Sequence, residues 1–302
     1  MRIGLLLPLF SEDASKPLER ARRAEELGFD GAFAFDHLVP LGGPADGPSL
    51  EAYSVLAAVA ASTERLTLGT LVTRVTLRHA GLLAKQAAGL DEMSDGRFVL
   101  AMGTGDEASR IEAESFGFPL PGPDERRRLL EETASACKAL FRGEPWTGGD
   151  LVPAMTGPLL PPPSTPGGPP VWLGGTSNAV IDMAGRIADG WNGWGLSRER
   201  FGVKASRLRD AAAAANRDAS PTWAGLTLVA RDRAELATML AERRDRGLGI
   251  GDMWSGTAED LVAFLAALAD AGATWAVLML AGPADRLDLV GREVVPAVRS
   301  GR

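Results

Sequence analysis

The chain is poor in the side chains that most often carry chemistry, and each shortage removes a class of function. It has one cysteine and two histidines in 302 residues. A lone Cys137 permits neither an intrachain disulfide nor a cysteine-based metal site, and in its helical surroundings it reads as buried filler. Positive charge is short as well: Lys plus Arg number 32 against 39 Asp plus Glu, a formal net charge of −7. The electrostatic footprint that nucleic acid or an anionic membrane demands is missing, so neither partner is expected. No apolar run approaches the roughly 20 residues of a membrane span. The opening stretch Met1 to Pro8 is too short for a secretory core and lacks a small-residue cleavage pattern. A cytoplasmic protein is the expectation.

Three motifs are also absent. There is no Gly-x-Gly-x-x-Gly after the first strand, which argues against a Rossmann sheet. No Gly-x-Ser-x-Gly elbow and no cluster with metal-ligand spacing is found, so serine and metal hydrolysis are disfavoured and no metal is expected.

What is present is organised around Leu66 to Asp106. Leu66 to Thr73 is a short aliphatic, β-branched run and reads as a buried strand. His79 to Met93 reads as a helix with Leu82, Leu83, Gln86, Ala87, Leu90 and Met93 on its apolar stripe and Lys85, Asp91 and Glu92 off it. Arg97 to Gly103 is a second continuous apolar strand that runs into Thr104-Gly105-Asp106. This is one βαβ unit, and in parallel α/β folds chemistry sits just past the carboxyl ends of strands. Gly103 and Gly105 can equally serve a tight turn, with Asp106 capping the helix that follows.

The same alternation runs through the chain. Further strands are read at Ile3 to Leu9, Gly31 to Phe35, Val171 to Gly174, Asp189 to Trp194, Trp223 to Ala230 and Ala273 to Leu280, with helices between them. Eight strands alternating with helices predict a single-domain (β/α)8 barrel over residues 1–302. The segment Gly143 to Pro170, after the helix that follows the fourth strand, holds nine prolines and six glycines and must be an extended insertion. That insertion and the loop Pro40 to Pro48 are expected to cover the pocket. Thr257 is read as the N-cap of a helix over Ala258 to Ala271.

The strand ends then offer Asp36 and His37, Thr73, Thr104 to Asp106, Gly174 and Gly175, Trp191 and Trp194. Glycine turns that enter helices suit phosphate, and aromatic walls suit a planar ring, so a phosphate-bearing aromatic cofactor fits this set. His37 follows an aspartate able to orient it and is read as functional. His79 opens a helix and is read as structural, Trp191 as core and Trp194 as pocket wall.

The runs Ala24 to Gly31, Asp36-His37, Leu90 to Arg97 and Asp189-Gly190-Trp191, in this order, resemble the luciferase-like monooxygenase family over essentially the whole chain. Within it, the compact chain and the Asp-His pair are most similar to the oxidoreductases that use coenzyme F420, a deazaflavin. The resemblance implies a bacterial-luciferase-like barrel and hydride transfer between F420 and a small organic substrate. An FMN-dependent monooxygenase using reduced flavin and oxygen, or a binding protein without turnover, are the alternatives. Carried across, it implies a cofactor contact for Asp36, a proton-donor role for His37 and a ring hydrogen bond from Thr73. Cofactor contacts are implied for Leu71, Thr104, Gly105 and Trp194, and a phosphate-tail turn for Gly174 and Gly175, followed by Ala179 and Val180. Asp106 falls where the family's sugar-phosphate dehydrogenases have a catalytic glutamate, and as a shorter carboxylate it is read either as acid or as cap. Two further features are implied: a non-prolyl cis peptide within Thr70-Leu71-Val72, placed at Leu71–Val72, and a homodimer through the Ala- and Leu-rich helices Ser49 to Ser62 and His79 to Gly89.

Overall fold

The computed structural model describes residues 1–40, 46–248, 251 and 253–301. Its strands are β1 (Arg2–Leu6), β2 (Gly31–Ala34), β3 (Thr67–Thr70), β4 (Thr73–Arg74), β5 (Phe98–Gly103), β6 (Val171–Gly174), β7 (Gly190–Trp194), β8 (Ser220–Ala230), β9 (Trp254–Thr257) and β10 (Trp275–Ala281). The order runs β10-β1-β2-β3-β5-β6-β7-β8, and β8 pairs back on β10 to close the ring. All these pairings are parallel, so every strand points its carboxyl end to one rim. This is the expected eight-stranded barrel.

Two strands lie outside that count. β4 takes up pairing with β5 just past Leu71 and Val72. β9 pairs with Thr227 to Ala230 of β8, beyond the part of β8 that β7 covers, in a stretch the sequence presents only as a helix entrance. The entrance is there too: Thr257 and Asp260 form a reciprocal capping box. The Leu71–Val72 peptide is cis, at the bond named from the sequence, and a second cis bond precedes Pro161.

The helices are α1 (Ser15–Glu26), α2 (Ala52–Ser62), α3 (Ala80–Met93), α4 (Arg110–Phe116), α5 (Pro123–Phe141), α6 (Asn178–Ile187), α7 (Arg198–Ala214), α8 (Arg233–Asp245), α9 (Ala258–Asp270), α10 (Arg286–Leu289) and α11 (Val295–Ser300). Strands covered on one face by these helices and on the other by the barrel interior need no polar face. All six residues of β5 are buried, as a continuous apolar run requires. The interior is filled by three large rings: Phe33 stacks on Trp172 at 6.0 Å and meets Trp275 edge-on at 5.6 Å. A Cβ on Gly4 or Gly69 would lie within 2.9 Å of the Phe33 ring, so small residues on flanking strands make its space.

The inward stripe of α3 differs from the periodic reading. Leu83, Ala84, Ala87, Ala88, Leu90 and Asp91 are buried, while Leu82 and Met93 are 55% and 59% exposed. Asp91 turns inward because it has partners: its carboxylate accepts the Thr165 N–H at 2.7 Å and the Thr165 hydroxyl at 2.9 Å. Thr165 belongs to the insertion, which therefore does not cover the pocket. It climbs α5, where Glu132 accepts the N–H groups of Asp150, Leu151 and Val152, and descends α3, where the Leu160 carbonyl accepts from Lys85. Val152 packs with Ala80 and Ala136. Its prolines and glycines keep it extended, and the groove between two helices supplies the hydrogen bonds that a sheet would otherwise provide. Of the loop Pro40 to Pro48, residues 41–45 lie outside the described residues.

Candidate active site

A cavity of about 500 Å3 opens at the carboxyl rim, lined by Phe35, His37, Leu71, Val72, Arg74, Gly103 to Asp106, Ser109, Gly174 to Thr176, Asn192 and Trp194. A cavity of about 580 Å3 at the opposite end is lined by Arg2, Glu25, Glu26, Asp30, Arg65 and Arg299 with their neighbours. Strand amino ends in barrels serve stability rather than chemistry, so the rim cavity is the candidate site.

Its floor follows from two glycines. Gly103 and Gly174 are register partners on β5 and β6. A Cβ on either would lie 2.5 or 2.6 Å from a Val72 methyl, so Val72 rests on both. These glycines thus make room for a floor residue, and Gly174 and Gly175 both line the cavity. Gly175 has φ +144°, a conformation that favours glycine, and its carbonyl accepts the Trp191 indole N–H at 2.6 Å. Trp191 is otherwise core, stacked on Phe201 at 5.8 Å. Trp194 and Phe35 form one wall, ring centres 5.4 Å apart.

His37 stands on the wall, with its neighbours arranged otherwise than Asp36-His37 suggests. The His37 Nδ1 lies 2.6 Å from Glu112 Oε1, from α4, while Glu112 Oε2 accepts the Leu38 N–H at 2.6 Å and Arg74 Nη2 at 2.7 Å. Burial alone would raise the Glu112 carboxyl, but the His37 and Leu38 hydrogen bonds and the charges of His37 and Arg74 outweigh it and hold the group below the ordinary range. Asp36 turns away. Its carboxylate accepts the Arg74 N–H at 3.1 Å and Arg78 Nη1 at 2.5 Å, and Arg78 also reaches Glu51, the N-cap of α2. Asp36 is 2% exposed and does not line the cavity.

Thr73 is likewise committed beneath the floor. Thr70 donates to the Ala101 carbonyl, Thr73 donates to Thr70 at 2.8 Å, and the Tyr53 hydroxyl, 2.7 Å away, is left to donate to Thr73. Desolvation keeps the Tyr53 hydroxyl protonated, well above its ordinary pKa. Ala179 faces an outer groove beside Asp124 and Arg127, and Val180 is buried in α6, packed beneath Gly175. Neither reaches the cavity, because the first turn of α6 is capped by Ser177 and points Ala179 outward. Thr104, Gly105 and Asp106 all line the cavity. The Asp106 carboxylate accepts the Ser109 N–H and hydroxyl, both at 3.2 Å, so the capping alternative is the arrangement seen. His79 caps α3 through Nδ1, which accepts the Gly81 N–H at 3.1 Å.

Sequence reasoning missed Glu112, Arg74, Ser109 and Asn192. For Glu112 a signal existed: the Asp106-x-x-Ser109 capping box and Gly117, at φ +70°, bracket a short helix. Among the described residues no group of three or more His, Cys, Asp or Glu side chains could hold a metal, and no helix is long and apolar enough to cross a membrane.

The sequence matches the luciferase-like monooxygenase family over residues 1–279. It is 36% identical over 184 residues to an F420-dependent glucose-6-phosphate dehydrogenase of Nakamurella multipartita, a match that covers 59% of this chain and 51% of that one. The chain thus spans about half the length of the curated relatives it matches. Among solved structures it is similar to an F420-dependent secondary alcohol dehydrogenase in complex with an F420-acetone adduct, with a TM-score of 0.85, 20% identity and 99% of each chain covered. It is also similar to EDTA monooxygenase from Chelativorans sp. BNC1, with a TM-score of 0.82, 18% identity, and 100% of this chain and 94% of that one covered. At these identities the two structures speak to the fold alone.

Proposed function

Because the chain belongs to the luciferase-like monooxygenase family, we propose that it is an oxidoreductase that binds coenzyme F420 at the barrel rim and exchanges a hydride with a small organic substrate. The observation that carries this reading is His37: it lines the cavity beside a Val72 floor, with Nδ1 engaged by Glu112 and Nε2 without a protein partner among the described residues. The residues present suit a flat, phosphate-bearing cofactor. Leu71 and Val72 offer an apolar shelf, Phe35 and Trp194 a wall, and Thr104, Gly105 and Asn192 polar contacts at the edge. Gly175 and Thr176, before the positive end of α6, suit the anionic tail.

Bound there, a deazaflavin supplies or accepts the hydride. The chain's part is to hold the substrate oxygen near His37, which passes the accompanying proton through Nε2. Asp106, engaged with Ser109, is assigned the cap rather than the proton. Support for F420 over FMN comes from curated relatives such as the Nakamurella multipartita enzyme, which carries F420 in its name. Equilibrium titration with each cofactor tests it: saturable F420 binding at micromolar concentration is expected, and tight FMN binding without F420 binding overturns the proposal.

We also propose a homodimer through α2 and α3. The outward face of α2 carries small side chains, Ser54, Ala58 and Ala61, that permit close helix approach, and Leu82 and Met93 of α3 present exposed apolar side chains.

A further inference from the structure

His37 has two ring nitrogens, and only one can carry the hydrogen when the ring is neutral. Which one decides whether the nitrogen facing the cavity can take up a proton. Glu112, 1% exposed, uses both oxygens: Oε1 on His37, Oε2 on Leu38 N–H and Arg74. The charged groups packed around the pair are Arg74 itself and, on its far side, Asp36, which Arg78 neutralises. With an arginine and a backbone N–H on its second oxygen, Glu112 is a carboxylate, and a carboxylate can only accept. Phe10 and Phe35 meet the imidazole edge-on at 6.3 and 5.8 Å and offer no alternative hydrogen bond.

We propose that Glu112 is a positioning residue that holds His37 in its Nδ1–H tautomer, so that Nε2 is the proton-exchanging atom over the cavity. The consequence for turnover rests on the proton role proposed above, whereas the tautomer does not. A substrate hydroxyl being oxidised gives its proton to Nε2, and a carbonyl oxygen being reduced receives one from it. In either direction the ring changes charge by one while its Nδ1–H stays on Glu112. Arg74 keeps that carboxylate from taking the proton itself.

The chain supplies its own control. His79 accepts the Gly81 N–H at Nδ1 and so must carry its hydrogen on Nε2, the opposite tautomer. With two histidines in the sequence, isotope-labelled histidine NMR of the full chain without cofactor resolves both rings, and His79→Ala assigns them. Above neutral pH, His37 is expected to show a protonated Nδ1 and a bare Nε2, and His79 the reverse. An Nε2–H tautomer at His37 in the unmutated chain overturns the proposal, whether or not any variant folds. In Glu112→Gln, His37 is expected to become a tautomer mixture. Turnover should fall at least about 10-fold, since positioned general acid–base catalysis contributes roughly 10²- to 10⁴-fold, with substrate KM and cofactor affinity changed less than about threefold. An unchanged tautomer, or a lost tautomer with full turnover, refutes it. If no deazaflavin binds, the function proposed above fails while the NMR result still decides the tautomer.

Discussion

The side chain of Val72 occupies the space that a Cβ on Gly103 would need: the two would stand 2.5 Å apart, far inside any real contact. Gly103→Ala must therefore displace the floor of the cavity. Overpacking of this kind costs about 1–3 kcal/mol, read as a lowered urea midpoint, and cofactor affinity should weaken with it. Val72→Ala in the same chain removes the clashing methyls and should restore most of the stability. If Gly103→Ala alone leaves both stability and affinity unchanged, Val72 is not seated as described.

The insertion can be detached without touching the site. In Asp91→Ala the carboxylate that accepts both the Thr165 N–H and the Thr165 hydroxyl is lost, and neither donor keeps its partner. A loss of about 1–3 kcal/mol is expected, together with faster proteolytic cleavage within 143–170. Cofactor affinity should stay the same, because no insertion residue lines the cavity. A parallel fall in affinity would mean that the insertion reaches the site after all.

Acid stability should report on Glu112. Its folded pKa lies below the ordinary carboxyl value of 4.5, so its contribution is fully present above that value and is lost as pH falls through the folded pKa. Glu112→Gln cannot titrate there. Denaturation midpoints measured downward from pH 4.5 should fall less steeply in the variant. Identical acid limbs would show that Glu112 is not held ionised by its partners.

Association has a direct test at the exposed end of α3. Light scattering at micromolar concentration should give twice the 31.7 kDa chain mass, and Leu82→Glu, which puts a charge on a side chain 55% exposed in one chain, should give the single mass with little change in folding. A monomeric unmutated protein removes the proposed interface.

The barrel was legible because its strands are covered on both faces: runs such as Phe98 to Gly103 need no polar residues, and their apolar continuity survives in the sequence. The rim residues Thr104, Gly105 and Trp194 were legible by the same route, since a strand's end fixes where the next side chains go. What stayed hidden depends on contacts between distant segments. Glu112 meets His37 across 75 positions from a seven-residue helix, and no local period announces such a pairing. Asp36, adjacent to His37, was the natural candidate, yet consecutive residues leaving a strand point opposite ways. The path of the insertion was hidden likewise, because proline and glycine content dictates an extended chain but not the groove it follows.

Glu51 belongs to two structures at once. It caps the first turn of α2 through the N–H groups of Tyr53 and Ser54, and it holds Arg78, which holds Asp36 beneath the cavity wall. Arg78 also lies 4.6 Å over the ring of Tyr53, in that same first turn. In a dimer built on α2, the two cavities would therefore hang from opposite sides of a shared seam.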